Sequence, residues 1–120
     1  MAVDMNSVSI IGRLTRDPEL AYTQSQVAVC RFSVANNRIG AGNQEEVNFF
    51  DIVTWDKLAT TCSQYLRKGR QVGILGRLSQ NRFQDKQTGA NRSKIEIVAL
   101  SVQFIGGQDG GSGDYNPPPA

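Results

Sequence analysis

One stretch of this chain, Lys57–Lys68, carries apolar residues at helical spacing, and every other patterned stretch alternates. Leu58, Cys62, Tyr65 and Leu66 share a helical face. Asp56 precedes them as an N-cap, and Arg67 and Lys68 suit the negative end of the helix dipole. Gly69 is the residue expected just past the C-terminus. Three strand patterns come before this helix and two after it. Asn6–Leu14 is the first, with Val8, Ile10 and Gly12 alternating with Ser7, Ser9 and Ile11; Gly12 signals a bulge or sharp bend. A turn at Thr15–Leu20 follows, built on Asp17-Pro18. Val27–Ala35 is the second strand, apolar at Ala28, Cys30, Phe32 and Val34, polar at Arg31 and Ser33. A Gly- and Asn-rich loop, Asn36–Glu46, joins it in a hairpin to the third, Val47–Trp55. Val72–Phe83 is the fourth, and a hairpin loop at Gln84–Asn91 joins it to the fifth, Lys94–Ile105, where Val98, Leu100, Val102 and Phe104 share a face. Three strands, a helix and two strands is the order of the OB-fold, an all-β five-stranded Greek-key barrel with one helix between strands three and four.

The third strand holds the densest functional signal. Phe49, Asp51, Val53 and Trp55 lie on one side, and Phe50 and Ile52 on the other. Taken alone, this fits either a platform on which unpaired bases stack or a strand buried on both faces. Phe83 stands between Arg82 and Gln84, which fits a base-stacking ring beside a cation or a hairpin-end aromatic packed on its neighbour. Phe32 reads as core. Arg31, on the opposite side of that strand, is a candidate for a phosphate contact, and so is Arg13 at the end of the first strand, unless it is merely solvated.

Composition narrows the classes. The 120 residues suffice for one domain, assigned to residues 1–106, followed by a flexible, disordered Gly/Pro-rich tail at 107–120. Between residues 5 and 106, thirteen basic residues face eight acidic ones, a net +5 consistent with a polyanionic partner. Mean hydropathy is −0.34, and no apolar run approaches the roughly 20 residues of a membrane span, so no integral membrane contact is expected. The N-terminus lacks the basic and apolar regions of a signal peptide. Histidine is absent and the two cysteines, Cys30 and Cys62, have no metal-binding spacing; they read as small buried hydrophobes, and neither metal nor cofactor is expected. Glu45-Glu46 has no nucleophile or histidine beside it, so no enzyme is indicated.

Several motifs, in order, closely resemble the bacterial-type single-stranded DNA-binding proteins. They are Asn6-Ser7-Val8, Gly12-Arg13-Leu14, Asp17-Pro18-Glu19, Phe32-Ser33-Val34-Ala35, Phe49 followed by Trp55-Asp56-Lys57-Leu58-Ala59, Tyr65-Leu66-Arg67-Lys68-Gly69, and Gly76-Arg77-Leu78. The likeness covers about residues 5–106 and looks strongest to the short cyanobacterial and plastid-encoded branch. It implies a homotetramer that wraps single-stranded DNA without strong sequence preference, in replication, recombination and repair. It places stacking rings at Phe49, Trp55 and Phe83, and phosphate contacts at Lys57, Lys68 and Arg82. The face and strand-end arguments add Arg13, Arg31 and Arg77. The chain departs from the family in two places. The Asn36–Glu46 loop lacks the tryptophan many relatives carry. The tail closes on Asn116-Pro117-Pro118-Pro119-Ala120 instead of an acidic tip ending in Phe, so the usual tip-recruited partners are not expected. The implied location is cytoplasmic, with the nucleoid; peripheral thylakoid association enters by resemblance only. The alternative is a specialised OB-fold protein that acts mainly through protein or membrane-surface contacts, or that binds RNA.

Overall fold

The structure is a computed structural model that describes residues 2–105. The tail assigned to 107–120 lies outside the described residues. The elements are β1 (Val8–Leu14), β2 (Glu19–Tyr22), β3 (Ala28–Ile39), a 3-10 turn (Ala41–Asn43), β4 (Glu45–Trp55), α1 (Asp56–Tyr65), β5 (Gln71–Gln84) and β6 (Asn91–Ile105). The strands run in the order β1-β5-β6-β4-β3-β2, and β1 also pairs with β3. That pairing joins five long strands into a closed barrel, with α1 between the third and fourth of them, as expected for an OB-fold.

The sequence places Glu19 and Leu20 in a turn, yet Glu19–Tyr22 forms the short strand β2. It occupies the edge of β3 along Ala28–Arg31, while β1 takes the same edge at Val34–Ala35. The two short strands thus cover one side of β3 in succession. All four β2 side chains are exposed, so no buried face imposes an alternation to read. The segment 36–46 also differs from expectation. The expected hairpin is present, but its ends are strand rather than loop, since β3 and β4 stay in register out to Ile39 opposite Glu45. Only Gly40–Gln44 forms the turn, closed by Gly40 N–H to Gln44 O at 2.7 Å.

The core lies inside the barrel. Phe32, Val34, Ile52, Leu66, Val72 and Ile74 are its largest fully sealed side chains. Each contributes roughly 1.5–3 kcal/mol relative to exposure. Two glycines mark where backbones come too close for a side chain. A Cβ on Gly12 would meet Ala35 O at 2.8 Å, at the corner where β1 leaves β5 for β3. One on Gly76 would run into Val98 O and the backbone of Ala99. Gly12 keeps its partner Val72, so the corner is a bend and not a bulge. The bulge is on β6. Leu75 pairs with Ser101 and Gly76 with Ala99, which leaves Leu100 unpaired. One extra residue reverses the alternation. Ile97 and Ala99 therefore point inward before the bulge and Val102 after it, while Leu100, expected on the buried face, is 67% exposed.

The helix is shorter than its pattern. It ends at Tyr65 because Leu66 turns to an extended backbone (φ −90, ψ 146) and is fully buried. Tyr65 is left exposed, its ring centroid 6.2 Å from that of Phe104, and Ala59 takes the buried position beside Cys62. Arg67 Nη1 donates to Ser63 O at 3.1 Å and Leu66 O at 2.6 Å, satisfying carbonyls at the helix end. Gly69, with φ 89, follows as the third residue of the Arg67–Arg70 turn rather than directly past the helix. Asp56 does not cap. It is the first helical residue, held at φ 59, and Trp55 takes the N-cap place without a side-chain bond. Its carboxylate still lies in the first turn, where the dipole favours negative charge.

Candidate nucleic-acid interface

The outer wall formed by β3, β4, β6 and β5 follows from alternation and register. On β3 the outward residues are Val29, Arg31, Ser33 and Ala35; opposite them on β4 stand Trp55, Val53, Asp51 and Phe49. β6 pairs parallel to β4, with Val98 beside Val53, and β5 places Arg77 beside Val98. One row across the wall therefore reads Arg31, Val53, Val98, Arg77. Another reads Arg13, Ala35, Phe49, because β1 sets Arg13 opposite Ala35. Neighbouring strands lie about 4.8 Å apart, so Arg13 and Phe49 stand roughly 10 Å apart at the backbone across a small alanine.

Three rings stand out of this wall. Phe49 is 68% exposed, Trp55 41% and Phe83 50%. Phe83 sits on the β5–β6 arm opposite Arg92, beside a groove of about 650 Å³ lined by Gln80, Arg82, Asn91, Arg92 and Ser93. Phe32 is sealed in the core, and Phe50 and Phe104 pack against it.

A polar network covers the wall between the rings. Arg31 crosses β4 to pair with Glu96 on β6, and Asn81 Nδ2 on β5 donates to the other oxygen of Glu96 at 2.8 Å. Glu96 is thereby buried with both oxygens occupied. The crossing also lies over Val53, which is buried although its side chain faces outward. Asp51 accepts from Ser33 Oγ at 2.7 Å and pairs with Lys94 Nζ at 3.2 Å. The Ser33 bond, aided by Lys94, holds the Asp51 carboxyl below its ordinary value.

The candidate cations divide. Arg31 and Arg77 belong to the wall, Arg13 borders it on β1, and Lys57 is exposed in the first turn of α1, two residues past Trp55. Arg82 lies on the opposite face of β5 from its neighbour Phe83 and reaches Gln80 at 3.4 Å, though both line the arm groove. Lys68 sits in the turn after α1, off the wall, where its backbone N–H donates to Asp17 at 2.8 Å. Sequence reasoning did not single out Ser33, Asn81, Arg92 or Lys94 for this surface. For Lys94 a signal existed. Placing Ile97 inward puts Lys94, Glu96 and Val98 outward, but the assumed alternation through Leu100 obscured it.

A second surface differs in character. On the outer side of β1, β5 and β6, Ile11 and Leu75 are about half exposed, beside a groove of about 260 Å³ that Gly73, Ser101 and Ile105 also line.

A closed OB barrel with exposed rings and cations on one wall defines a ligand-binding barrel of the nucleic-acid or oligosaccharide class. Comparison with known proteins is more specific. The model of the Single-strand binding protein family matches residues 5–105, and the chain belongs to that family. It is 52% identical over 112 residues to a single-stranded DNA-binding protein of Treponema pallidum, covering 91% of this chain and 62% of that relative's length. A single-stranded DNA-binding protein of Bacillus cereus is 41% identical over 121 residues, 97% of this chain and 71% of the relative. Single-stranded DNA-binding protein 1 of the cyanobacterium Nostoc is 34% identical over 118 residues, 96% of this chain and 98% of the relative. Among the described residues no helix is long and apolar enough to cross a membrane, and no group of potential ligands could hold a metal.

Proposed function

We propose that this protein binds single-stranded DNA without strong sequence preference and protects it during replication, recombination and repair. The observation that carries the reading is the exposure of Phe49, Trp55 and Phe83 while the core phenylalanine Phe32 is sealed. Bases stack on the three rings, each contributing roughly 1–3 kcal/mol, and stacking tolerates any base because every base has a π-face. Arg13, Arg31, Arg77 and Lys57 meet phosphates along and beside the wall, Arg82 meets one from the arm groove, and Lys68, off the wall, meets one only where the strand wraps past it; each contact releases counterions, which makes affinity fall with salt. The protein acts by binding, not catalysis, in the cytoplasm with the nucleoid. It assembles as a homotetramer, a reading supported by the half-exposed Ile11 and Leu75, which are otherwise unexplained on a soluble barrel.

Titration with dT oligomers at two salt levels tests this. Trp55, the chain's one tryptophan, is expected to lose emission on binding, and less at the higher salt for the same oligomer concentration. Unchanged emission up to millimolar oligomer overturns the reading. A parallel rU titration measures the preference for DNA over RNA.

A further inference from the structure

The centre of the ring-bearing wall is not cationic in the free protein. Arg31 and Lys94 stand there, and Glu96 and Asp51 neutralise them. The two pairs differ in kind. Glu96 is buried, and its oxygens are taken by Arg31 and Asn81, so drawing the half-exposed Arg31 away would strand the Glu96 carboxylate away from water. The Asp51 and Lys94 side chains are 42% and 52% exposed, so water and salt weaken their pair and an outside anion can take the carboxylate's place at Lys94 at little cost. Asp51 also lies on the same face of β4 as Phe49 and Trp55, between them in sequence. A strand of nucleic acid stacked on both rings must pass over it.

We infer that Asp51 is a built-in competitor for phosphate: its carboxylate occupies Lys94 in the free protein, and a phosphate of the bound strand takes its place. Lys94 then becomes a phosphate contact, and Asp51, left with Ser33, weakens binding by its own charge. The device lowers affinity and lets the strand be released or moved without loss of the stacking rings. This inference rests on the reading of the wall as a single-stranded DNA site.

The test is a double-mutant cycle on the full chain, with dT oligomers at several salt concentrations. Asp51→Asn keeps the shape and the bond from Ser33 but frees Lys94. It is expected to tighten binding severalfold and leave the slope of log affinity against log salt unchanged or steeper, by up to about 0.7 for one added phosphate. Lys94→Met is expected to weaken binding and flatten the slope by about 0.7. With Met at 94, Asp51→Asn is expected to tighten binding clearly less than it does alone. Equal tightening in both backgrounds means a bulk charge effect and overturns the inference, as does a Lys94→Met protein with wild-type affinity and slope. Asp51→Ser, which keeps a hydroxyl beside Ser33, repeats the measurement if Asn disturbs the sheet. Failure of the wild-type protein to bind dT at all sinks the functional reading itself, and is distinct from these outcomes.

Discussion

Phe49 and Phe32 are both strand phenylalanines, yet a cut to alanine is expected to act through different physics at the two positions. Phe49→Ala removes an exposed ring, so the melting temperature should move little while dT affinity falls by roughly 1–3 kcal/mol, about 5- to 150-fold. Phe32→Ala opens a cavity in the core and is expected to cost about 3–5 kcal/mol of stability. Thermal melts and dT titrations on the two variants separate the effects. The cysteines make a second residue-scale case. Burial pushes the Cys30 thiol up to about 11 and the Cys62 thiol up to about 12, each partly offset by a hydrogen bond with Thr54. Both are free and buried. The thiolate is the reactive form, so iodoacetamide at pH 8 should leave the native protein unlabelled and modify both thiols in urea. The linked effect on stability has a definite sign. Thiols that ionise near 9 when unfolded but only near 11–12 when folded favour the unfolded state as pH rises through that window. Cys62→Ala should lose less stability between pH 9 and 11 than the wild type does.

At the scale of elements, the β5–β6 pair does most to shape the wall. Its bulge at Leu100 sends Ile97 and Ala99 inward on one side and Val102 inward on the other. The same irregularity brings Gly76 against the backbone of Val98 and Ala99, with no room for a Cβ. Gly76→Ala forces the two strands apart where backbone, not a flexible side chain, must give way. A loss of at least about 2 kcal/mol is expected, seen as a thermal midpoint lowered by about 10 °C or more. Ala at Gly89 would meet no atom within 4 Å, so any cost there comes from its φ of 74 alone. Gly76 itself has no positive φ, so its loss reports the close approach alone, and a Gly76→Ala protein that melts like the wild type would refute it.

At the scale of the whole molecule, one wall carries rings and paired charges, and another carries half-exposed Ile11 and Leu75. A monomer would leave the second wall in water. In the proposed tetramer it is covered, and Leu75→Glu would place four charges in contacts between copies. Sedimentation of that variant is expected to show smaller species than the wild type at the same concentration, with the barrel's circular dichroism unchanged. A wild type that sediments as a monomer across concentrations removes the proposal of assembly. Independently of assembly, the salt dependence of binding reports how many of the wall's cations meet phosphates.

Much of this protein was legible in the order of its residues. Alternation through Val27–Ala35 and Val47–Trp55 separates Phe32 and Ile52 from Arg31, Phe49 and Trp55, because a strand's side chains must point to opposite faces. The helical spacing of Leu58 and Cys62 locates α1, because a helix brings those positions to one face, while Leu66, read on the same face, is buried just past its end. Local pattern ends where partners begin. Nothing near Lys94 says that it will meet Asp51, since the parallel pairing of β4 with β6 joins segments some 45 residues apart. Leu100 reads as core until the register with β5 reveals the extra residue. Val53 is buried because Arg31 reaches over it to Glu96, a bond that exists only once three strands lie side by side. Periodicity is a property of one strand and the chain carries it; contact between strands depends on closure of the barrel, and that is decided only in three dimensions.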